Sequence, residues 1–270
     1  MTSPQDAPTR HFEVGGPLDV RVHLDYGSVR VVARSATTAS VLAAPAIASR
    51  QHDVEAAENV RVTLAGDVLE VRGTASGWRR LVRPGATDVE IGVPEGSRIT
   101  GTTAYAEVQL VGALGDCSVQ STGGDIRVEE ATTGRLQSRY GNVTVDRLVD
   151  GGRVESTHGT VRIREAAGTT SLTASSGDVV LDRATGDLTV RNTYGTVEIG
   201  AMSSGTCTVT TSYGSVGVGI PAGTAAYLDL QSDRGRVRSE LDRSDEPGAG
   251  VERAAIRART SYGAITIRRA

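Results

Sequence analysis

A glycine recurs along the chain at a nearly constant interval: Gly124, Gly141, Gly159, Gly177, Gly195 and Gly214 follow one another at 17, 18, 18, 18 and 19 residues. Gly235 and Gly263 extend the series with longer insertions. Around the glycine the same phrase returns, as NTYGTVEI at 192–199, SRYGNVTV at 138–145 and TSYGAITI at 260–267. Two residues after each glycine stands Ile126, Val143, Val161, Val179, Val197, Val216, Val237 or Ile265. Four residues after it another aliphatic follows, except at Ser239. Polar residues lie between, and this period of two marks a strand with one face buried. Upstream the alternation continues through an apolar column five residues before the glycine (Val119, Leu136, Val154, Leu172, Val190, Val209, Leu230) and a small or polar column three before it. Each period therefore carries two strands that meet at a glycine corner, where left-handed backbone costs least.

Eighteen residues at ~3.3 Å each make a loop about 60 Å around, one coil of a β-solenoid. One coil cannot bury its own apolar face; coils stacked ~4.8 Å apart can. Helical repeats are excluded, because they need periods above about 30 and a spacing of 3.6. One Phe, one Trp and seven Tyr leave the core to Val, Leu, Ile and Ala, which suits stacked strands. Cys117 and Cys207 each precede a repeat glycine by seven residues, in the column of Leu188, Leu228 and Ile256. At five coils apart, ~24 Å, they cannot form a disulfide with each other and read as buried free thiols.

The expected architecture is all-β: a single-stranded, β-helix-like solenoid of about 18-residue coils preceded by a β-rich N-terminal region. Residues 1–10 form a disordered polar tail, 11–100 the N-terminal β region, 101–220 the regular coils, and 221–270 closing coils with a long loop at 241–254. Before residue 100 strand patterns abound but the period is not seen, and a short helix is expected within 49–58. The turns VPEG at 93–96 and IPAG at 220–223 place a proline where a strand must stop. The last strand ends in IRRA, with Arg268 and Arg269 as charged guards of an exposed edge.

The VPEG turn, the run of G-[DNT]-[VI]-x-[VI] coils, the IPAG turn, YLDLQSDRGRV at 227–237 and ARTSYGAITI at 258–267 together resemble the bacterial putative-adhesin family of β-strand-repeat proteins, in an actinobacterial form. The resemblance spans nearly the whole chain, including GWRRLVRPG at 77–85. It implies the fold and an adhesin-like character, and brings no catalytic residue or cofactor with it.

A net charge of −3 with both signs interspersed gives no reason to expect nucleic acid. All 29 basic residues are Arg, which excludes a Schiff-base lysine or a Walker A loop. The first ten residues are polar and no apolar run reaches the roughly 20 residues of a membrane span, so a soluble, cytoplasmic protein is expected. Glu129 and Asp146, each five residues after a repeat glycine, would sit on neighbouring coils like the carboxylate pair of a retaining glycosidase. Arg164 and Asp182 continue that column with alternating sign, the pattern of a solvated ion ladder. His11, His23, His52 and His158 lack ligand spacing, so no metal or cofactor is expected.

The repeat tyrosines Tyr140, Tyr194, Tyr213 and Tyr262 are expected to point inward near the corner, with His158 substituting in their column. Thr122, Thr157, Ser175, Thr193, Ser212 and Ser261, two before the glycine, form an outward hydroxyl row suited to meeting a glycan or a protein. The candidate binding residues are Trp78, Arg79, Arg80 and Arg83, in a loop bounded by Gly77 and by Pro84-Gly85. Trp with Arg is the composition of an interface hot spot, and the competing reading has Trp78 capping the open end of the stack. The function expected is a non-catalytic interaction or scaffold protein with a protein partner first and glycan second. The alternatives are a carbohydrate-active β-helix enzyme and a glycan-binding cell-surface adhesin.

Overall fold

Strands occupy the segments in which apolar and polar residues alternate. The computed structural model describes residues 9–73, 85–241 and 252–270, and the chain divides into two units, 1–141 and 142–270. The first contains β1 (Arg10–Glu13), β2 (Asp19–Arg34), β3 (Thr38–Pro45), α1 (Gln51–Glu58), β4 (Val60–Ala65), β5 (Val68–Gly73), β6 (Thr87–Pro94), β7 (Arg98–Ser121) and β8 (Ile126–Tyr140). The second contains β9 (Val143–Leu148), β10 (Gly151–His158), β11 (Val161–Ala166), β12 (Thr169–Ser176), β13 (Val179–Thr185), β14 (Leu188–Tyr194), β15 (Val197–Tyr213), β16 (Val216–Ile220), β17 (Ala225–Ser232), β18 (Val237–Ser239), β19 (Arg253–Tyr262) and β20 (Ile265–Arg269).

In the second unit the strands from β9 to β16 pair in parallel, each with a strand one period away. β9, β11, β13, the start of β15 and β16 stack in register through Val143, Val161, Val179, Val197 and Val216. A second column joins β10, β12, β14 and the end of β15 through Val154, Leu172, Val190 and Val209. All nine of these side chains are buried. Each is worth roughly 1.5–3 kcal/mol removed from water. The uneven spacing has a local cause: the register shifts by one residue between Ala184 and Thr185, so the coil after Gly195 is one residue longer than those before it. The expected column of Leu188, Cys207, Ile256 and Leu228 is present residue for residue.

The order of the coils differs from the order of the sequence. β19 lies between β15 and β17, and β20 lies between β16 and β18. The stack therefore runs through Gly195, Gly214, Gly263 and then Gly235. This corrects the expectation that Arg268 and Arg269 guard an exposed final strand. β20 is internal, Arg268 pairs with Glu198, and Arg269 donates to the Pro221 carbonyl at 3.1 Å. The outermost strands are β17 and β18, of which β18 is exposed throughout, with Val237 47% exposed beside Arg236 and Arg238. Those two arginines blunt the edge that β20 was expected to present.

The first unit is built around β2. It runs parallel to β7 from Asp19↔Arg98 to Val32↔Val111, and on its other side parallel to β5 and β6. Residues 19–34 are therefore a full coil, and DYGSVRV at 25–31 is a copy of the repeat phrase in the region where the period was not seen. Tyr26-Gly27 aligns with Tyr105-Ala106, and Ala106 in turn lies against Gly124. Beyond β6 and β5 the pairing turns antiparallel, with β3 and then β1 on one column and β4 on the other. The expected helix is α1, which packs on β3 and β6; its buried Asp53 accepts the Ala86 N–H at 3.0 Å and anchors the entry to β6. A bulge at Gly112 takes one extra residue out of β7, which converts an 18-residue offset into the 17 seen between Gly124 and Gly141.

A second glycine corner per coil goes beyond what the first repeat predicts. Gly168, Gly186 and Gly205 stack with left-handed backbone, and a Cβ on either of the last two would overlap the carbonyl of the glycine below. The signal was available in AAGTT, ATGDL and SSGTC, which recur at 18 and 19 residues.

Candidate interaction surface

The glycine corner is held from inside by the small or polar column. Asn192 donates through Nδ2 to the carbonyls of Gly177 and Gly195 at 3.1 and 3.0 Å, and Thr260 donates to the Gly214 carbonyl at 3.0 Å. Ser121 instead accepts the Gly124 N–H at 2.9 Å. These side chains are buried and satisfy backbone groups that the turn leaves unpaired. The column is structural, as its inward position implied.

The tyrosines behave otherwise. Tyr194, Tyr213 and Tyr262 are 54%, 48% and 41% exposed, which corrects the inward placement: one residue before the glycine the chain has begun to turn, and strand parity no longer applies. Stacking itself is present. The Tyr194 and Tyr213 ring centroids are 5.1 Å apart and those of Tyr213 and Tyr262 are 4.9 Å apart, both pairs within 8° of parallel. Arg234 lies 5.2 Å over the free face of Tyr262. The insertion of β19 between β15 and β17 makes this ladder continuous, because it seats Tyr262 directly on Tyr213. In the first unit Tyr26 and Tyr105 form a shorter ladder of the same kind, with centroids at 5.5 Å.

Beside the tyrosines lies the outward face of β12, β14, the end of β15, β19 and β17. Its rows include Ser171, Thr189, Thr208, Arg257 and Asp229, and Thr173, Arg191, Thr210, Arg259 and Gln231. The expected hydroxyl row is here too, with Thr193, Ser212 and Ser261 in register. Arg259 holds both oxygens of Asp229, at 2.8 and 2.7 Å. Arg191 and Arg257 are exposed and, among the described residues, have no carboxylate partner.

The opposite outward rows, after the glycine corner, are paired. Arg164 faces Asp146 at 3.8 Å, Arg162 faces Asp182 at 3.6 Å, and Glu165 lies between Arg147 at 4.0 Å and Arg183 at 3.2 Å. Asp146 and Arg164 make the contact that the alternating signs predict, whereas Asp182 pairs with Arg162 of the neighbouring row. Glu129, in the first unit, accepts the Gly112 N–H at 3.0 Å and so closes the bulge in β7. His158 stands exposed in register with Ser176 and Tyr194, in the tyrosine column. Trp78, Arg79, Arg80 and Arg83 lie outside the described residues, as do 1–8 and 242–251, the greater part of the expected loop at 241–254. Among the described residues no helix is long and apolar enough to cross a membrane.

Both cysteines are free and buried. Burial pushes each thiol from 9.0 up to about 12, and the Asp116 carboxylate adds to the effect at Cys117. The neutral thiol is thus favoured by the fold. Its contribution to stability is complete below the ordinary value and is lost as pH rises from about 9 towards about 12. Neither thiol is expected to react with a disulfide reagent at pH 8 in the native protein, and both should react in guanidinium; native labelling of either would contradict its burial.

No curated protein is significantly similar to the chain. Among solved structures, one named a putative adhesin from Parabacteroides distasonis aligns at 11% identity and a TM-score of 0.48, over 98% of this chain and 97% of that one. A second of that name, from Parabacteroides merdae, aligns at 11% identity and 0.47, over 97% and 95%. One named a putative lipid binding protein, from Parabacteroides distasonis, aligns at 11% identity and 0.44, over 97% and 96%. A family model matches residues 21–268, beginning inside the coil of β2 and ending inside that of β20, so that both units are spanned by a single match and the chain belongs to the Toastrack DUF4097 family.

Proposed function

We propose that this is a non-catalytic interaction protein, a scaffold of single-stranded solenoid coils whose contact surface in the second unit is the tyrosine ladder and the hydroxyl-rich face beside it. One observation carries the reading: three large aromatic side chains are stacked in the open at the corner, where burying them would serve the fold better. The charged rows on the other side of the corner are paired among themselves. Trp78, Arg79, Arg80 and Arg83 are proposed as a second contact.

The enzyme alternative draws less support, because Glu129 is engaged by a backbone N–H and Asp146 faces Arg164. A Tyr194→Ser, Tyr213→Ser, Tyr262→Ser variant tests the proposal, serine being what the column already holds at position 176. Immobilised wild type and variant are compared for the partners and polysaccharides they retain. The variant is expected to lose what the wild type retains, whereas Glu129→Gln, Asp146→Asn is expected to match the wild type. Equal retention by the tyrosine variant would remove the ladder as the contact. Sugar release by the wild type that the amide variant lacks would establish the enzyme instead.

A further inference from the structure

We propose that the ladder face of the second unit binds a linear acidic polysaccharide lying along the stack, across the coils; this rests on the reading of that face as the contact surface. The first argument is what the rings present. Tyr194, Tyr213 and Tyr262 stack on one another and Arg234 covers the outer face of Tyr262, so along the row a ligand meets ring edges and phenol hydroxyls, with only the Tyr194 face toward Ser176 not covered by a ring or an arginine among the described residues. Ring edges carry the positive part of the aromatic quadrupole and the hydroxyls can donate, so the row favours electron-rich oxygen. With the internal faces taken, a nucleobase has no ring to stack on between neighbours, which disfavours single-stranded nucleic acid.

The second argument is charge. Among the described residues Arg191, Arg257 and Arg234 have no salt-bridge partner, while the carboxylates on the same face are Asp229, held by Arg259, Asp233, within 3.5 Å of the Gln231 amide, and Asp187, which accepts the Thr206 N–H at 3.0 Å. Glu155, further along, is paired with Arg153. Among the described residues the arginines of this face therefore outnumber its carboxylates, in a protein whose net charge is −3, which suits a polyanion.

The third argument is spacing. Threonine and serine hydroxyls repeat from coil to coil in register, as the rings do at 4.9 and 5.1 Å. A regular row of donors and acceptors matches a chain of similar units, each bearing hydroxyls and a carboxylate, better than it matches a single small molecule. Arginine offers such a carboxylate a two-pronged hydrogen bond.

The test uses the full-length protein in affinity electrophoresis through gels containing polygalacturonate, a neutral galactan or poly(dT). Polygalacturonate is expected to retard the wild type, and the galactan is not. Arg191→Gln, Arg257→Gln should weaken binding by about tenfold or more, with the melting temperature unchanged, since both side chains are exposed. Raising salt to 0.5 M should weaken it as well. Absence of binding to polygalacturonate, preference for galactan or poly(dT), or retention by the arginine variant equal to wild type would each overturn the proposal. Galactan binding that the triple tyrosine variant loses would overturn the acidic class alone and leave the contact surface standing. Polymer binding that the tyrosine variant keeps would overturn both.

Discussion

A chain ending at residue 241 is expected to lose the cooperative fold of its second unit rather than a terminal coil. Deleting 252–270 removes β19 and β20, which lie inside the stack. Ile256, Ile265 and Ile267 go with them, all fully buried, at roughly 1.5–3 kcal/mol each. The neighbours Cys207, Val209, Val216 and Val218 lose one side of their packing. β17 and β18 reach the stack through β19 and β20, so they lose their parallel partners. A domain is stable by only about 5–15 kcal/mol, and a loss of this size consumes most of it. Thermal unfolding with limited proteolysis reads the result. Cleavage throughout 142–241 at 25 °C is expected, and an intact unit with only its end trimmed would contradict the coil order.

Gly195→Ala is expected to be severely destabilising. The backbone there has φ of +125°, and a Cβ would overlap the Gly177 carbonyl of the adjacent coil. Two costs therefore add: a conformation that L-residues avoid, and a main-chain clash that no side chain can relieve by moving. Together they are expected to cost on the order of 3–5 kcal/mol. Gly223→Ala is the control, because its φ is +84° but nothing lies within 4 Å of the added carbon. It should cost about 1 kcal/mol. Urea unfolding of both variants separates the clash from the dihedral, and equal losses would show that close approach between coils does not govern the corner.

The inward columns were legible because burial at a period of two leaves a strong trace, from Val143 through Val216 and from Val154 through Val209. Even the irregular 17 and 19 spacings reduce to local bulges. Coil order was not legible. Every coil presents the same apolar columns, so nothing in the pattern says whether Gly214 is followed by Gly235 or, after 49 residues, by Gly263. The coil of β2 hid for a related reason: its partner corner is 79 residues away and carries Ala106 in place of glycine. Strand alternation assigns the tyrosines the right column and the wrong direction, because parity fails where the chain turns. The ladder depends on both unread features, the turn that exposes the rings and the insertion that brings Tyr262 onto Tyr213.

A pair of engineered cysteines tests that insertion most directly. Ser215 and Ala264 are neighbours on adjacent coils, whereas Ser215 and Arg236 are separated by the β20 coil between them. Adjacent coils lie ~4.8 Å apart, within disulfide reach, and alternate coils at about twice that lie beyond the roughly 7 Å limit. Mild oxidation of the folded protein is expected to cross-link Ser215→Cys with Ala264→Cys and to leave Ser215→Cys with Arg236→Cys reduced. The opposite outcome would mean that the coils follow the order of the sequence and that Tyr213 and Tyr262 do not stack.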